Sequence, residues 1–307
     1  MSVTQTLTRP IAELPLRELY ELTKPKVVLM ITFTAVVGML LAVPGMVPWN
    51  VLLCGTLGIG GAAASGAAIN HLIERDSDRH MRRTRNRPLP TGRLQWHQAL
   101  AFALLLGGGS IALLVWQVNA LTAALTFASL IGYGVIYTAY LKRATSQNIV
   151  WGGAAGAMPP LLGWTAVTGE VGLLALLLFL IVFTWTPAHF WPLAIARRED
   201  YRNAGIPMLP VTHGVAFTKL HVLLYAVMLL AVSLMPFGAG LTGPLYAVGA
   251  LLLGTAFVRE TWLLYREEGE TRAMRTFSFS IAHLCALFAL LLVDHYLFPA
   301  QLVMRLG

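Results

Sequence analysis

Charge is scarce in this chain. Asp, Glu, Lys and Arg make up 12% of its 307 residues, against roughly a quarter in an ordinary water-soluble domain. So little charge cannot clothe a water-facing surface of this size. Cysteine is also scarce: Cys54 and Cys285 are the only two. They lie far apart in apolar stretches and read as small packing residues, which excludes a disulfide framework and argues against a thiolate metal site. No extended polar alternation suggests an outer-membrane barrel. The first 25 residues mix Arg9, Glu13, Arg17, Glu18, Glu21 and Lys24 without an apolar core, so no cleavable signal peptide is expected.

What is abundant is apolar sequence, 57% of the chain. A helix needs about 20 largely apolar residues to cross the hydrocarbon, and only internally satisfied backbone is stable there. Nine spans are expected: 27–47, 51–70, 99–118, 121–140, 149–165, 171–191, 220–235, 241–258 and 277–298. Pro159 and Pro160 are expected to end or bend the fifth, and Pro236, Gly238 and Gly240 to form the turn between the seventh and eighth. The chain reads as an all-α polytopic membrane protein, one embedded domain over residues 1–307 with residues 1–24 as a cytoplasmic segment.

Basic residues set the orientation. With nine spans, 21 of the 22 Lys and Arg residues fall on one side and Arg305 alone on the other, which puts the N-terminus inside and the C-terminus outside. The formal net charge of +8 follows from topology and anionic lipid; no nucleic-acid-binding motif accompanies it, and no nucleic acid partner is expected.

Carboxylates are rarer still, so their placement carries information. The second span is small and apolar through Gly58–Gly66 and then emerges as Asn70, His71, Glu74 and Asp78. Asn70, Glu74 and Asp78 recur every four residues and share one helical face. Stacked like charges destabilise a helix unless something binds them. Oxygen ligands in that pattern suit a Mg²⁺ that bridges to a phosphorylated substrate, although a solvated helix end has the same composition. Asp76 points elsewhere and is expected to pair with Arg79 or solvent. Next to this face, Arg79, Arg82, Arg83, Arg85, Arg87 and Arg93 crowd a turn-rich loop able to neutralise a diphosphate.

Two further loops fall on that side. Tyr137, Tyr140, Lys142 and Arg143 close the fourth span, and Gly152, Gly153 and Gly156 open the fifth with a small-xxx-small spacing suited to tight packing. The sixth ends in Trp185, His189 and Trp191, where His189 is read either as an interfacial hydrogen-bonder or as a ligand. A phosphate-bearing headgroup held at this end, with its apolar tail between helices, suits transfer of a lipid group.

These strings resemble a known family. Asn70-xxx-Glu74-xxx-Asp78 followed by Arg83-Thr-Arg-Asn-Arg87-Pro-Leu is similar to the first acidic motif of the UbiA-type intramembrane prenyltransferases. The fuller resemblance, over about residues 22–298, is to their haem-farnesylating branch. It rests on Tyr137-Thr-Ala-Tyr-Leu-Lys142-Arg143, Gly152 to Trp164, Trp185-Thr-Pro-Ala-His189-Phe-Trp191 and Asp200-Tyr-Arg-Asn-Ala-Gly-Ile-Pro-Met-Leu-Pro210. Glu74 stands where Asp is usual. The second paired-Asp motif is reduced, with Arg197 and Tyr201 at its spaced positions and Asp200 one place away, a pattern that the haem branch shares.

The resemblance implies transfer of the farnesyl group of farnesyl diphosphate to the 2-vinyl group of haem b, giving haem O for terminal oxidases. It implies Mg²⁺ held by Asn70, Glu74, Asp78 and Asp200. Arg83, Arg87, Lys142 and Arg143 would contact the diphosphate, with Tyr137 beside it. His189, Trp191 and, as a second choice, His71 would contact haem. Membrane lipids and proteins of terminal oxidase assembly or haem A synthesis are the implied partners. A quinone-precursor prenyltransferase would share the fold and diphosphate site, and a transporter is the competing class; no inverted halves are evident for the latter.

Overall fold

The computed structural model describes residues 15–298, so Arg9, Glu13 and Arg305 lie outside the described residues. Thirteen α-helices and one π-helical segment make up the fold, with no strand among the described residues. In order these are α1 (Leu16–Leu22), α2 (Pro25–Leu41), α3 (Trp49–Asp78), α4 (Trp96–Gln117), α5 (Ala120–Ile131), the π segment (Gly132–Leu141) and α6 (Lys142–Ala144). There follow α7 (Asn148–Thr168), α8 (Leu173–Ala196), α9 (Arg198–Asn203), α10 (Leu209–Thr212), α11 (Val215–Gly238), α12 (Pro244–Arg266) and α13 (Ala273–Leu297). Seven continuous helices are long and apolar enough to cross a membrane. The pair α1 and α2, bent by 55° at Thr23-Lys24, makes an eighth.

The bundle's outer wall is apolar. Leu104, Leu105 and Leu252 are exposed, each among other exposed apolar residues, as a hydrocarbon-facing wall requires. The largest core joins Leu178, Ile181 and Trp185 of α8 to Phe257 of α12 and Phe288 of α13. A second core at one end joins Trp191, Tyr201, Met208 and Leu264, so α9 and α10 are packed down rather than loose.

Hydrogen bonds between loops define the two ends. At one end Lys219 Nζ donates to the Glu267 and Gly269 carbonyls, both at 2.6 Å, and Arg198 meets Glu270 at 3.4 Å. At the other, the buried Asp294 carboxylate accepts from the Gly243 and Tyr246 amides, capping the start of α12. There, too, the His295 ring meets the Val43 carbonyl at 2.9 Å.

Three sequence expectations are corrected. Pro159 and Pro160 do not end the fifth span; both lie inside an unbroken α7, where a neighbouring helix can compensate the missing backbone donors. Ser129 Oγ of α5 does so, donating to the Ala155 carbonyl at 3.1 Å, while α2 packs closely along α7. An added Cβ at Gly38 would lie 2.0 Å from the Pro160 carbonyl oxygen, and one at Gly163 would lie 1.9 Å from that of Ala35. The two backbones are therefore in direct contact. Pro236 likewise stays within α11, and the turn begins only after Gly238. The expected packing role of Gly156 is also absent, since nothing lies within 4 Å of a Cβ built there.

Candidate active site

The Asn70, Glu74 and Asp78 side chains stack along the last turns of α3, all buried. Two buried carboxylates need counter-charges and a buried amide needs hydrogen bonds, and each rung meets a cation. Lys24 Nζ donates to Asn70 Oδ1 at 2.5 Å, Lys142 Nζ pairs with Glu74 Oε1, and Arg87 Nη1 meets Asp78 Oδ2 at 2.7 Å. The cations come from the α1–α2 break, the end of the π segment and the Arg-rich loop. Asp78 Oδ1 remains sealed from solvent with no partner among the described residues.

Local backbone explains how these cations arrive. Lys24 is the one non-glycine residue with positive φ among the described residues, at φ 51° and ψ 61°. Such a conformation is costly for a side-chain-bearing residue, and Pro25 starts α2 immediately afterwards. The expected reading of Lys24 as one more topogenic charge missed this contact. The π segment supplies the opposite wall. Its wider turns stack Tyr133 on Tyr137 at 5.8 Å and aim Thr138 Oγ1 at the Asn70 amide, 3.1 Å away. Such π segments recur at functional sites, and Tyr133 and Thr138 were not singled out by sequence.

Arg143 reaches Ser77 Oγ at 2.6 Å, beside the rungs. Arg83 is exposed at the rim. Asp76 is exposed and lies 3.7 Å from Arg75, not Arg79. His71 is buried next to Asn70, and neither ring nitrogen has a partner among the described residues.

Helix α9 closes this end. Burial pushes the Tyr201 phenol up, opposed by the nearby Arg83 guanidinium, while the Glu74 carboxylate raises it further. The ring shares a buried cluster with Met81, three residues beyond Asp78. Asp200 is half-buried beside it. Among the described residues no three of His, Cys, Asp and Glu form a metal-holding group, so Glu74, Asp78 and Asp200 do not converge into the four-ligand cage expected with Asn70. The reduced spacing turns Tyr201, not Asp200, into the core under the site.

His189 and Trp191 do not share a face. Two residues apart on a helix they diverge by about 200°. The His189 ring is clamped between Trp185 at 4.1 Å and Phe277 at 4.6 Å, and its Nδ1 lies 2.7 Å from Ser280 Oγ on α13. Trp191 is fully buried against α11, edge-on to Tyr225 at 5.3 Å. It is a core residue here, although a haem contact was expected of it.

With this geometry in view, comparison with known proteins is decisive. The model of the UbiA prenyltransferase family matches residues 31–292. The chain belongs to the UbiA prenyltransferase family. A protoheme IX farnesyltransferase of Thioalkalivibrio sulfidiphilus is 64% identical over 91% of this chain and 93% of its own length. One from Nitrosococcus oceani is 61% identical over 92% and 94%. Among solved structures, digeranylgeranylglyceryl phosphate synthase superposes with a TM-score of 0.78 at 18% identity, covering 92% of this chain and 99% of that one. A UbiA homologue from Archaeoglobus fulgidus, bound to DMAPP and Mg²⁺, gives 0.68 at 18% identity over 89% and 99%. These structural likenesses establish the family's helical bundle.

Proposed function

We propose that this enzyme transfers the farnesyl group of farnesyl diphosphate to the 2-vinyl group of haem b, forming haem O and releasing diphosphate. The observation that carries the reading is likeness to protoheme IX farnesyltransferases over more than nine-tenths of both chains. The site supports it with an oxygen-rich face whose every rung stands against a cation.

The donor set fits a hard divalent ion. Asn70, Glu74 and Asp78 each offer oxygen, and the sealed Asp78 Oδ1, unpartnered among the described residues, is an acceptor that such an ion would satisfy. Mg²⁺ held by these three residues supplies Lewis-acid stabilisation of charge on the diphosphate. Asp200, outside any three-acid group, is assigned no ligand role.

The protein's own groups do the rest. Lys142, Arg87 and Lys24 lie one side chain from the carboxylate face and take the oxygens of the departing diphosphate, with Arg83 and Arg143 at the rim. As the C1–O bond breaks, the allylic cation faces the stacked Tyr133 and Tyr137 rings, whose π faces favour positive charge. Tyr201 and the packed α9–α10 segment keep bulk water from capturing that cation. C1 bonds the terminal vinyl carbon, and one water adds to the adjacent carbon, losing a proton to leave the hydroxyl of haem O. His189 is assigned to haem contact, its clamped imidazole offering a nitrogen to the iron or to a propionate.

The test is haem titration into purified protein and its His189→Ala variant, following the Soret band and farnesyl transfer. The expected result is a shifted band with affinity weakened about 10- to 100-fold. Unchanged spectrum, affinity and haem O formation in a folded variant would remove His189 from the site.

The spans number nine, counting α7 and the bent α1–α2 pair, with the site facing the cytoplasm of a bacterial inner membrane. Support comes from the one-sided basic residues and the positive-inside rule. With Cys54 and Cys285 replaced by alanine, a membrane-impermeant thiol reagent on intact cells should label Gly45→Cys but not Glu268→Cys. Reversed labelling would overturn the orientation.

A further inference from the structure

Ser280 lies on α13, 91 residues from His189, yet both of its polar groups serve the same aromatic cluster. Its carbonyl accepts from Trp185 Nε1 at 2.9 Å. Its hydroxyl lies 2.6 Å from the Phe277 carbonyl oxygen and 2.7 Å from His189 Nδ1. A serine hydroxyl has one proton to donate. The Phe277 carbonyl can only accept, so a contact of 2.6 Å uses that proton. Ser280 Oγ must then accept at its second contact, and His189 Nδ1 must carry the hydrogen. In the neutral imidazole that tautomer leaves Nε2 as a bare lone pair.

The rest of the surroundings hold that ring in place. Trp185 and Phe277 cover its two faces, and Trp185 is itself fixed through Ser280. Ser280 is fully buried, so water does not compete for its hydroxyl. Nε2 has no hydrogen-bond partner among the described residues, and it is not among the sealed nitrogens. An imidazole so arranged is a preset donor of an electron pair.

We propose that Ser280 is a positioning residue: its hydroxyl fixes His189 as the Nδ1–H tautomer and presents the Nε2 lone pair to the haem substrate. This rests on the assignment of His189 to haem contact. A ring nitrogen hydrogen-bonded in this way is the arrangement that orients a histidine toward a metal and raises its basicity. The ligand class is an iron porphyrin bound through iron or, with the opposite polarity, a proton-bearing group such as a protonated propionate. A carboxylate anion is disfavoured because a bare Nε2 cannot donate to it.

Two measurements separate this inference from the assignment beneath it. In the first, the protein is labelled with ¹⁵N-histidine in lipid nanodiscs without haem, and His189 is identified by loss of its signal in His189→Ala. Protonated Nδ1 and bare Nε2 are expected in the parent and in Ser280→Thr, with the Nε2–H form gaining population in Ser280→Ala. An Nε2–H form in the parent, or no change in Ser280→Ala, overturns the inference whatever haem does.

In the second, ferric haem is titrated into the same variants while the Soret band is read. Ser280→Ala should weaken haem about 10- to 100-fold and move the band, Ser280→Thr should restore both, and a farnesyl diphosphate analogue should bind all three alike. Equal loss in Ser280→Thr and Ser280→Ala would show that the hydroxyl is not what matters. If Ser280→Ala leaves haem unchanged while His189→Ala weakens it, the positioning role falls and the haem contact stands. If neither variant alters haem binding, both fall.

Discussion

Replacing Glu74 by Gln or Asp78 by Asn should abolish Mg²⁺-dependent binding of a farnesyl diphosphate analogue and lower farnesyl transfer about 10²- to 10³-fold, equivalent to roughly 2.7–4 kcal/mol. Each substitution keeps the side-chain shape and removes a charge, so the change is electrostatic. Glu74 is paired with Lys142 and Asp78 with Arg87, all four largely out of solvent. Neutralising one partner leaves the other cation buried without its counter-charge, which costs about 3–5 kcal/mol of stability in typical cases. Calorimetric binding with and without Mg²⁺ must therefore be paired with a thermal midpoint for each variant. Asp76→Asn is the matched control, because Asp76 lies on the same helix but is 73% exposed in its side chain. Analogue affinity unchanged in folded Glu74→Gln and Asp78→Asn would sink the proposed diphosphate site.

The readable part of this site was what a single helix determines. Asn70, Glu74 and Asp78 repeat every four residues, so their common face follows from helix geometry alone. The transmembrane architecture was readable for a similar reason, since length and apolarity decide which segments enter lipid. Contacts between distant segments were not. Lys24 reaches Asn70 across 46 positions, and its charge had a sufficient explanation in topology. The π segment is invisible to hydrophobic period, which does not distinguish a turn closed at i+5 from one closed at i+4. Yet that wider turn sets Tyr133 and Thr138 against α3 and Tyr137 against Gly152 of α7.

His189 and Trp191 are two residues apart, a spacing that sends helical side chains to opposite faces. Both are expected to contact haem, whereas the structure packs one against α13 and the other against α11. Ser280 could not have been found in this way, because nothing local to α13 marks it. Its role depends on which hydroxyl lies across the groove from His189.

Gly163→Ala and Gly38→Ala should each destabilise the protein by about 3 kcal/mol or more, above the usual range for an overpacked core. The reason is the partner atom. A Cβ at Gly163 meets a carbonyl oxygen of α2 at 1.9 Å, and one at Gly38 meets a carbonyl oxygen of α7 at 2.0 Å. A side chain can rotate away from such a clash, but helical backbone can only be pushed off as a unit. The consequence reaches the site, because α2 begins beside Lys24 and the first residue of α7, Asn148, donates to the Lys142 and Thr145 carbonyls. Separating the two helices thus moves two of the three cations relative to α3. Farnesyl transfer should fall along with the thermal midpoint, although neither glycine touches the carboxylate face. Gly156→Ala on the same α7 supplies the comparison: nothing lies within 4 Å of its new methyl, and the better helix propensity of alanine contributes up to about 1 kcal/mol in its favour. The thermal midpoint in detergent should drop for Gly163→Ala and Gly38→Ala and hold or rise for Gly156→Ala. Equal midpoints across the three would mean that α2 and α7 do not meet backbone to backbone.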